Sequence, residues 1–374
     1  MGVELNNRDL RIDILRVLGL LLIILAHVNP PFFLFELRTF DVSLMVFVSG
    51  MSYLAAGKNS VRFISYVWAR IKRLLFPLWC FLSLYFLFIY SFGAQRILDM
   101  NLQKMLYSYI MLGGIGYVWV IRIFLMIAIL SPLYVGVSKR LSDLQIIFTS
   151  YILVLLSSLL TIWVKIYIHG LMFVFFSEII IPAISYGVIF IIGCRFNNFS
   201  VTNKVFFFLL GMLSMFVIEG VSLYESGKFI FPQDFKYPPS YIYIFYAFIL
   251  IPICYLFSGF LSPKFIVDKK AKFILVFVSS NTIWIYFLHI PVVEFFRVSN
   301  ILDGYLIKWI LAFLIPCLLY VLQYRVVTSL VLRIKSKSLA QFLRRTFTGW
   351  FLNSYATGAM YHMSTTDFLF VGLK

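Results

Sequence analysis

Of the 374 residues, 62% are hydrophobic and only 13% are charged, and the formal net charge is +17. The charged fraction is about half that of an average soluble domain, so a water-soluble fold is excluded because it could not bury this much apolar surface. We attribute the basic charge to loops that a membrane protein keeps in the cytoplasm, and we expect no nucleic-acid partner.

Ten apolar runs follow one another along the chain, each long enough to cross a bilayer core as a helix of roughly 20 residues. The runs are continuous and do not alternate between apolar and polar residues, which favours helices over a β-barrel. We therefore predict an all-α membrane protein with about ten transmembrane helices, in one domain over residues 8–332. The predicted spans cover residues 12–31, 40–57, 74–93, 117–137, 144–164, 170–193, 204–223, 240–260, 273–296 and 305–330.

The Lys and Arg residues between these spans predict the orientation, because the more basic loops stay in the cytoplasm. Fifteen of them fall on one side and eight on the other. An even number of spans then places both termini in the cytoplasm, and we expect a multi-pass protein of the cell (inner) membrane in contact with lipid. Residues 333–374 show no clear periodicity and are predicted to be a poorly ordered or interfacial cytoplasmic tail.

The first span carries two ionisable residues, Arg16 and His27. The eleven residues from one to the other turn through about 1100° and rise about 16 Å, so both side chains point the same way, with His27 deeper. Ionisable groups in lipid are costly, which makes both residues candidates for function. The alternatives are that Arg16 extends to lipid phosphates and that His27 only joins two helices by a hydrogen bond.

Other polar residues are placed by the predicted spans in the outer half of the membrane. Several of them are expected to line a wet cavity for a polar substrate, while others pair only with one another. Two of them, Glu219 and Glu294, lie near helix ends and are compatible with facing water. The candidates for the cavity are Asp41, Arg122, Glu178 and His289.

The four cysteines lie alone in separate spans, so no metal site is expected.

Several of these residues occur in a recognisable order that resembles the acyltransferase family 3 membrane enzymes. The resemblance covers roughly residues 8–330. Its elements are Arg16-x10-His27, the stretch RTFDVSLMVFVSGM from Arg38, Arg70-x-x-Arg73, Trp119 followed by Pro132, and IYFLH ending at His289. One departure is Phe124, which stands where many members with a second domain carry a glutamate. The chain is therefore similar to the single-domain members.

The resemblance implies transfer of an acyl group from cytoplasmic acyl-CoA to an acceptor, often a sugar hydroxyl on the far side of the membrane. It implies a catalytic role for His27, with Arg16 and the Arg70–Arg73 pair also involved. These two arginines are three residues apart and are neighbours on a helix, which suits binding of the CoA phosphates. The alternative is that the pair only anchors the chain by the positive-inside rule.

The acceptor is predicted to be an exported or cell-surface carbohydrate and the acyl group acetyl, by analogy with the family. Succinyl transfer stays open, since Arg122 would suit the additional carboxylate.

Two other classes of membrane protein are alternatives to this function. A carbohydrate-precursor transporter or flippase would use the same polar groups without an acyl donor, but no internal repeat is visible. A membrane-bound O-acyltransferase of the unrelated kind also uses one buried histidine, but the position of His27 in the first span argues against it.

Overall fold

The computed structural model describes residues 8–55, 63–95, 97–299 and 301–348. Regular structure in these ranges is entirely helical, which confirms the predicted all-α class. We number the helices in chain order. They are α1 (Leu10–Ala26), α2 (Phe32–Leu37), α3 (Asp41–Ala55), α4 (Phe63–Ser91), α5 (Leu102–Ile110), α6 (Trp119–Arg140), α7 (Asp143–Tyr167), α8 (Gly170–Phe196), α9 (Val201–Ser226), α10 (Tyr241–Val267), α11 (Lys269–Ser280), α12 (Thr282–Ser299), α13 (Tyr305–Arg333) and α14 (Lys337–Phe347).

Within the described ranges, eight helices are long and apolar enough to cross a membrane, as expected of a multi-pass membrane protein. They are α4, α6, α7, α8, α9, α10, α12 and α13. The helices of the first two predicted spans, α1 and α3, have 17 and 15 residues, and more than half of the residues of each are buried. The total of ten crossings and the cytoplasmic location of the termini stay predictions.

The span predicted over residues 273–296 is divided at Asn281, where α11 ends and α12 begins. Asn281 is fully buried. Its amide nitrogen donates to the carbonyl oxygen of Phe277 at 2.7 Å, and its amide oxygen accepts from the Tyr320 hydroxyl at 2.8 Å. The Asn281 side chain thus provides a hydrogen-bond donor for the Phe277 carbonyl, which the helix break would leave without a partner. It also connects this position to Tyr320 of α13.

The helices α3 and α8 cross with their backbones in direct contact. A Cβ atom at Gly50 would overlap the carbonyl oxygen of Phe190, and one at Gly193 would overlap that of Phe47. Small residues at a crossing let two backbones approach closely and gain dispersion contacts, which drive helix association in lipid. This contact fixes α3, and α3 begins with the predicted site residue Asp41.

The chain reverses direction between α1 and α3. His27 is the C-terminal cap of α1, and Asn29 follows with a φ of 51°, a left-handed conformation that Asn tolerates better than most residues. Pro31 precedes the short helix α2. The reversal brings Arg38 and Asp41 to the end of the bundle that holds His27, which we call the far end.

The described part of the predicted tail packs on the bundle as α14. The indole N–H of Trp284 donates to the carbonyl oxygen of Thr346 at 2.9 Å, and the amide of Gln323 donates to that of Phe347 at 2.9 Å. Phe347 also stacks on Trp284, with 5.4 Å between ring centres. Residues 349–374 lie outside the described residues, and the predicted domain boundary after residue 332 stays a prediction.

Candidate functional site

A cavity of about 490 Å³ lies between α1, α3, α4, α6 and α12 and extends from Arg8, at the end of the bundle opposite to His27, inward to Ile23 and Tyr286. Among the described residues, its lining includes four arginines and no Asp or Glu. We call this end the basic end. The arginines are Arg8, Arg16, Arg70 and Arg73. A cavity lined by one sign of charge concentrates ions of the opposite sign, so this cavity is suited to an anion.

Arg16 is held inside the bundle and does not extend along its outer surface. Its guanidinium donates to the Ser52 hydroxyl at 2.6 Å and to the carbonyl oxygen of Ser279 at 3.4 Å. The carboxylate of Asp13, which is 1% exposed, lies 3.8 Å from Arg16 and 2.6 Å from Arg8. One carboxylate therefore serves two of the four cavity arginines, and the cavity keeps an excess of positive charge.

Arg70 and Arg73 line the cavity from one face of α4. The guanidinium of Arg70 lies over the ring of Tyr66 at 4.8 Å from its centre, and the Tyr66 hydroxyl is fixed by Ser131 at 2.7 Å. Neither arginine forms an ion pair with a carboxylate in the part of the chain that the structure describes. Their donors are therefore available to a ligand.

The inner wall of the cavity is apolar and leads toward the far end. On α1 it is formed by Leu20 and Ile23, which continue the face of Arg16 at helical spacing, and the next position on that face is His27. Phe124 lies on the opposite wall. Tyr286 also lines the cavity, and its hydroxyl donates to the carbonyl oxygen of Tyr117 at 2.5 Å. Tyr286 thus separates the cavity from the residues beyond it.

Two histidines lie together beyond Tyr286. The imidazole of His27 is half-buried, and its ring centre is 5.5 Å from that of His289, which is completely buried. The ring of Tyr117 packs on His27 at 4.6 Å and on His289 at 5.8 Å. The Nδ1 of His289 donates to the carbonyl oxygen of Tyr286. The sequence placed His289 among the polar residues of the cavity, but its contact with His27 emerges only in the structure.

Tyr117 connects the histidines to Glu294. Its hydroxyl donates to a carboxylate oxygen of Glu294 at 2.9 Å, and Glu294 also pairs with Arg297. Glu294 is only 8% exposed, which corrects the alternative that it faces water near a helix end. No feature of the sequence around Tyr117 indicates this contact, because its partner lies 177 residues further along the chain.

Asp41 forms a buried ion cluster with two cations at the far end. Its carboxylate accepts from Arg38 at 2.9 Å and from Lys236 at 2.6 Å, and all three residues are at most 3% exposed. Burial lowers the pKa of Lys236, whereas the carboxylate of Asp41 opposes this effect. Lys236 lies between the predicted spans 204–223 and 240–260, in a loop. The cluster fastens that loop over α3, beside Trp119, whose ring centre is 5.8 Å from the Lys236 ammonium.

Arg122 and Glu178 form an ion pair of their own. Arg122 also donates to the carbonyl oxygen of Met111 at 2.6 Å, and Glu178 lies on a π-helical stretch of α8, Phe176–Ile180. Neither residue makes a hydrogen bond or ion pair with Asp41 or His289 among the described residues. At the far end, His289 lies beside His27 and Asp41 pairs with Arg38 and Lys236, whereas Arg122 and Glu178 form a pair of their own.

No three His, Cys, Asp or Glu side chains of the described ranges are grouped so as to hold a metal ion.

Comparison with protein families shows that residues 9–325 match a family model described as an acyltransferase domain. No curated protein and no solved structure matches the chain significantly. The family match spans the helices that carry the cavity, the histidine pair and the ion cluster.

Proposed function

Because the chain belongs to acyltransferase family 3, we propose that it is an O-acyltransferase that moves an acyl group, preferably acetyl, from cytoplasmic acyl-CoA to a hydroxyl of an exported or cell-surface carbohydrate. The observation that carries this proposal is the arrangement of the basic cavity. Four arginines line it, and two histidines lie just beyond its inner wall. An anionic donor bound at the arginines would thus reach toward a group that transfers protons.

Arg70, Arg73 and Arg16 bind the donor in this proposal. Guanidinium groups bind phosphate through paired donors, and the phosphates of CoA would offset the excess positive charge of the cavity. The apolar wall formed by Leu20 and Ile23 then accommodates the pantetheine arm and directs the thioester toward Tyr286. The basic end would face the cytoplasm, where acyl-CoA is made.

His27 performs the chemistry in this proposal. It takes the proton of the acceptor hydroxyl while that oxygen attacks the thioester carbonyl, the carbon–sulfur bond breaks, and the proton passes to the departing thiolate. The products are the ester and free CoA. A second route uses the same residues: His27 attacks the thioester carbonyl, the carbon–sulfur bond breaks, and the imidazole proton passes to the departing thiolate. The acceptor hydroxyl then attacks the acyl carbon, the carbon–nitrogen bond breaks, and the hydroxyl proton returns to the imidazole.

The carbohydrate acceptor would approach from the far end, where Asp41 and His289 lie near His27. Its class is inferred from the single-domain form of the chain and the family analogy, and succinyl remains an alternative to acetyl. A carbohydrate transporter or flippase would also need polar groups along a path. It would not need an anion-binding cavity that leads to a histidine pair, and this observation favours the transferase.

Mass analysis of surface glycans from cells with and without the gene tests the proposal. We expect the acyl group to be lost from the glycans when the gene is deleted and restored when it is returned. Purified protein in lipid nanodiscs should release free CoA thiol from acetyl-CoA when the acceptor glycan is supplied. Unchanged glycans together with no thiol release would contradict the proposal and favour a transporter.

A further inference from the structure

We propose that His289 is the positioning residue for His27, and that its Nε2 accepts a hydrogen bond from the imidazole N–H of His27. The inference rests on the proposed function and deepens it, because it assigns a tautomer to each imidazole. Three observations on the described residues carry it.

The first observation fixes the tautomer of His289. Its Nδ1 is bonded to the carbonyl oxygen of Tyr286, and a carbonyl oxygen can only accept. The hydrogen of the neutral imidazole must therefore be on Nδ1. The Nε2 atom then carries a lone pair and can only accept a hydrogen bond.

The second observation is that this lone pair has no partner. The Nε2 of His289 is buried and makes no hydrogen bond with any described residue, and the residue as a whole is 0% exposed. A buried acceptor without a partner loses its hydration without compensation, so such atoms in native proteins normally have a donor close by.

The third observation identifies the donor. A hydrogen bond of about 2.9 Å between two imidazoles places their ring centres about 5 Å apart, and the centres of His27 and His289 are 5.5 Å apart. The other polar neighbours are engaged, since the hydroxyl of Tyr117 donates to Glu294 and that of Tyr286 donates to the carbonyl oxygen of Tyr117. The imidazole of His27 makes no hydrogen bond with the described residues.

This hydrogen bond would leave one nitrogen of His27 free for the proton transfer of the proposed reaction. When one nitrogen of His27 donates to His289, its other nitrogen is bare and can accept the proton of the acceptor hydroxyl. The imidazolium that forms is stabilised by the lone pair of His289, as an orienting group stabilises the base in other nucleophile–base systems. His27 then gives the proton to the departing thiolate, and both imidazoles return to their neutral forms.

Two amide substitutions separate the two nitrogens of His289. In His289→Asn the amide nitrogen takes the place of Nδ1 and keeps the bond to Tyr286, but nothing replaces Nε2. In His289→Gln the amide oxygen takes the place of Nε2 as an acceptor. We expect His289→Asn to lower kcat by about 10–100-fold with KM for acyl-CoA within about twofold, and His289→Gln to recover most of the loss. The matched control is His169→Asn, at an exposed histidine outside the site, which should behave as the wild type.

A purely structural role of the Nδ1 bond predicts the reverse order, with Asn active and Gln impaired, and that order would overturn the inference. If the wild type turns over acyl-CoA and His289→Asn is equally active, the inference fails and the proposed function stands. If the wild type releases no CoA under any acceptor condition, the proposed function itself fails.

A second measurement does not depend on the folding of a variant. In wild-type protein labelled with ¹⁵N-histidine, the nitrogen resonances of His289 should report a protonated Nδ1 and a bare Nε2. The chain has four histidines, so the signals can be assigned by replacing the others one at a time. A protonated Nε2 at His289 would overturn the inference.

Discussion

The two charged regions of the molecule hold their cations in opposite ways. In the basic cavity, Arg70 and Arg73 border open space and have no carboxylate partner among the described residues. At the far end, Arg38 and Lys236 share the carboxylate of Asp41 and are almost completely buried. Cations that border a cavity without partners are available to a ligand, whereas buried and paired cations hold structure. Substitutions in the first region should therefore change substrate binding, and substitutions in the second should change stability.

The largest effect is expected at His27, which lies at the far end but outside the ion cluster. Replacing His27 by Ala should lower acyl transfer by about 10²–10⁴-fold, because the proposed mechanism loses the group that transfers the proton. Membrane insertion and acyl-CoA binding should be unchanged, since the cavity arginines remain. The measurement is CoA release by purified protein, compared at equal protein level. Normal acylation by this variant would remove His27 from the mechanism.

The next effect is on stability, at the ion cluster. Replacing Asp41 by Asn leaves two buried cations without a counter-charge, which should destabilise the fold by about 3–5 kcal/mol. Thermal unfolding in nanodiscs measures this change. Asp99→Asn is the matched control, because Asp99 is 92% exposed and 3.8 Å from Lys104, and an exposed pair contributes little. Equal unfolding temperatures for the Asp41 variant and the wild type would refute a structural role for the cluster.

A smaller effect is expected at the cavity arginines. Replacing Arg70 or Arg73 by Lys keeps the charge but removes the planar pair of donors, so KM for acyl-CoA should rise roughly tenfold while the unfolding temperature stays the same. Lys72→Gln is the control, because Lys72 is a sequence neighbour that does not line the cavity. Acyl-CoA binding that survives both Lys substitutions would make the pair a membrane anchor only.

The smallest effect concerns α14, outside both charged regions. Replacing Trp284 by Phe keeps the stack on Phe347 but removes the hydrogen bond to Thr346, which should cost about 1 kcal/mol and make α14 easier to cleave with trypsin. Trp309→Phe removes an equivalent bond, to the carbonyl oxygen of Leu21 at 2.9 Å, and should not affect cleavage in α14. Equal cleavage rates for the two variants would mean that the Trp284 bond does not hold α14.

Relations within one helix could be predicted from the sequence, because helical periodicity converts spacing into direction. Arg16 and His27 lie on one face of α1, and Arg70 and Arg73 lie on one face of α4. The all-α class followed equally directly from the continuous apolar runs. The break at Asn281 was not predicted, because the polar side chain that permits it lies within a run that is otherwise apolar enough for a single span.

Relations between distant segments could not be predicted, because they depend on how the helices pack. Asp41 and Lys236 are 195 residues apart in the chain, and no local pattern distinguishes Lys236 from an ordinary loop lysine. The separation of the Arg122–Glu178 pair from Asp41 and His289 has the same origin. The predicted spans include Arg122, Glu178, Asp41 and His289, but the rotation of each helix about its axis decides which neighbour a side chain meets.

The contact of Gly50 and Gly193 with the opposing backbone carbonyls also limits how the protein can move. Side chains in contact can adjust to a shift between helices by changing rotamer, but two backbones in contact cannot. We therefore expect α3 and α8 to move together as one rigid unit. Asp41, the first residue of α3, and its ion cluster belong to this rigid unit. A change in the width of the basic cavity would then have to come from its other walls, which include α4 with Arg70 and α12 with Tyr286.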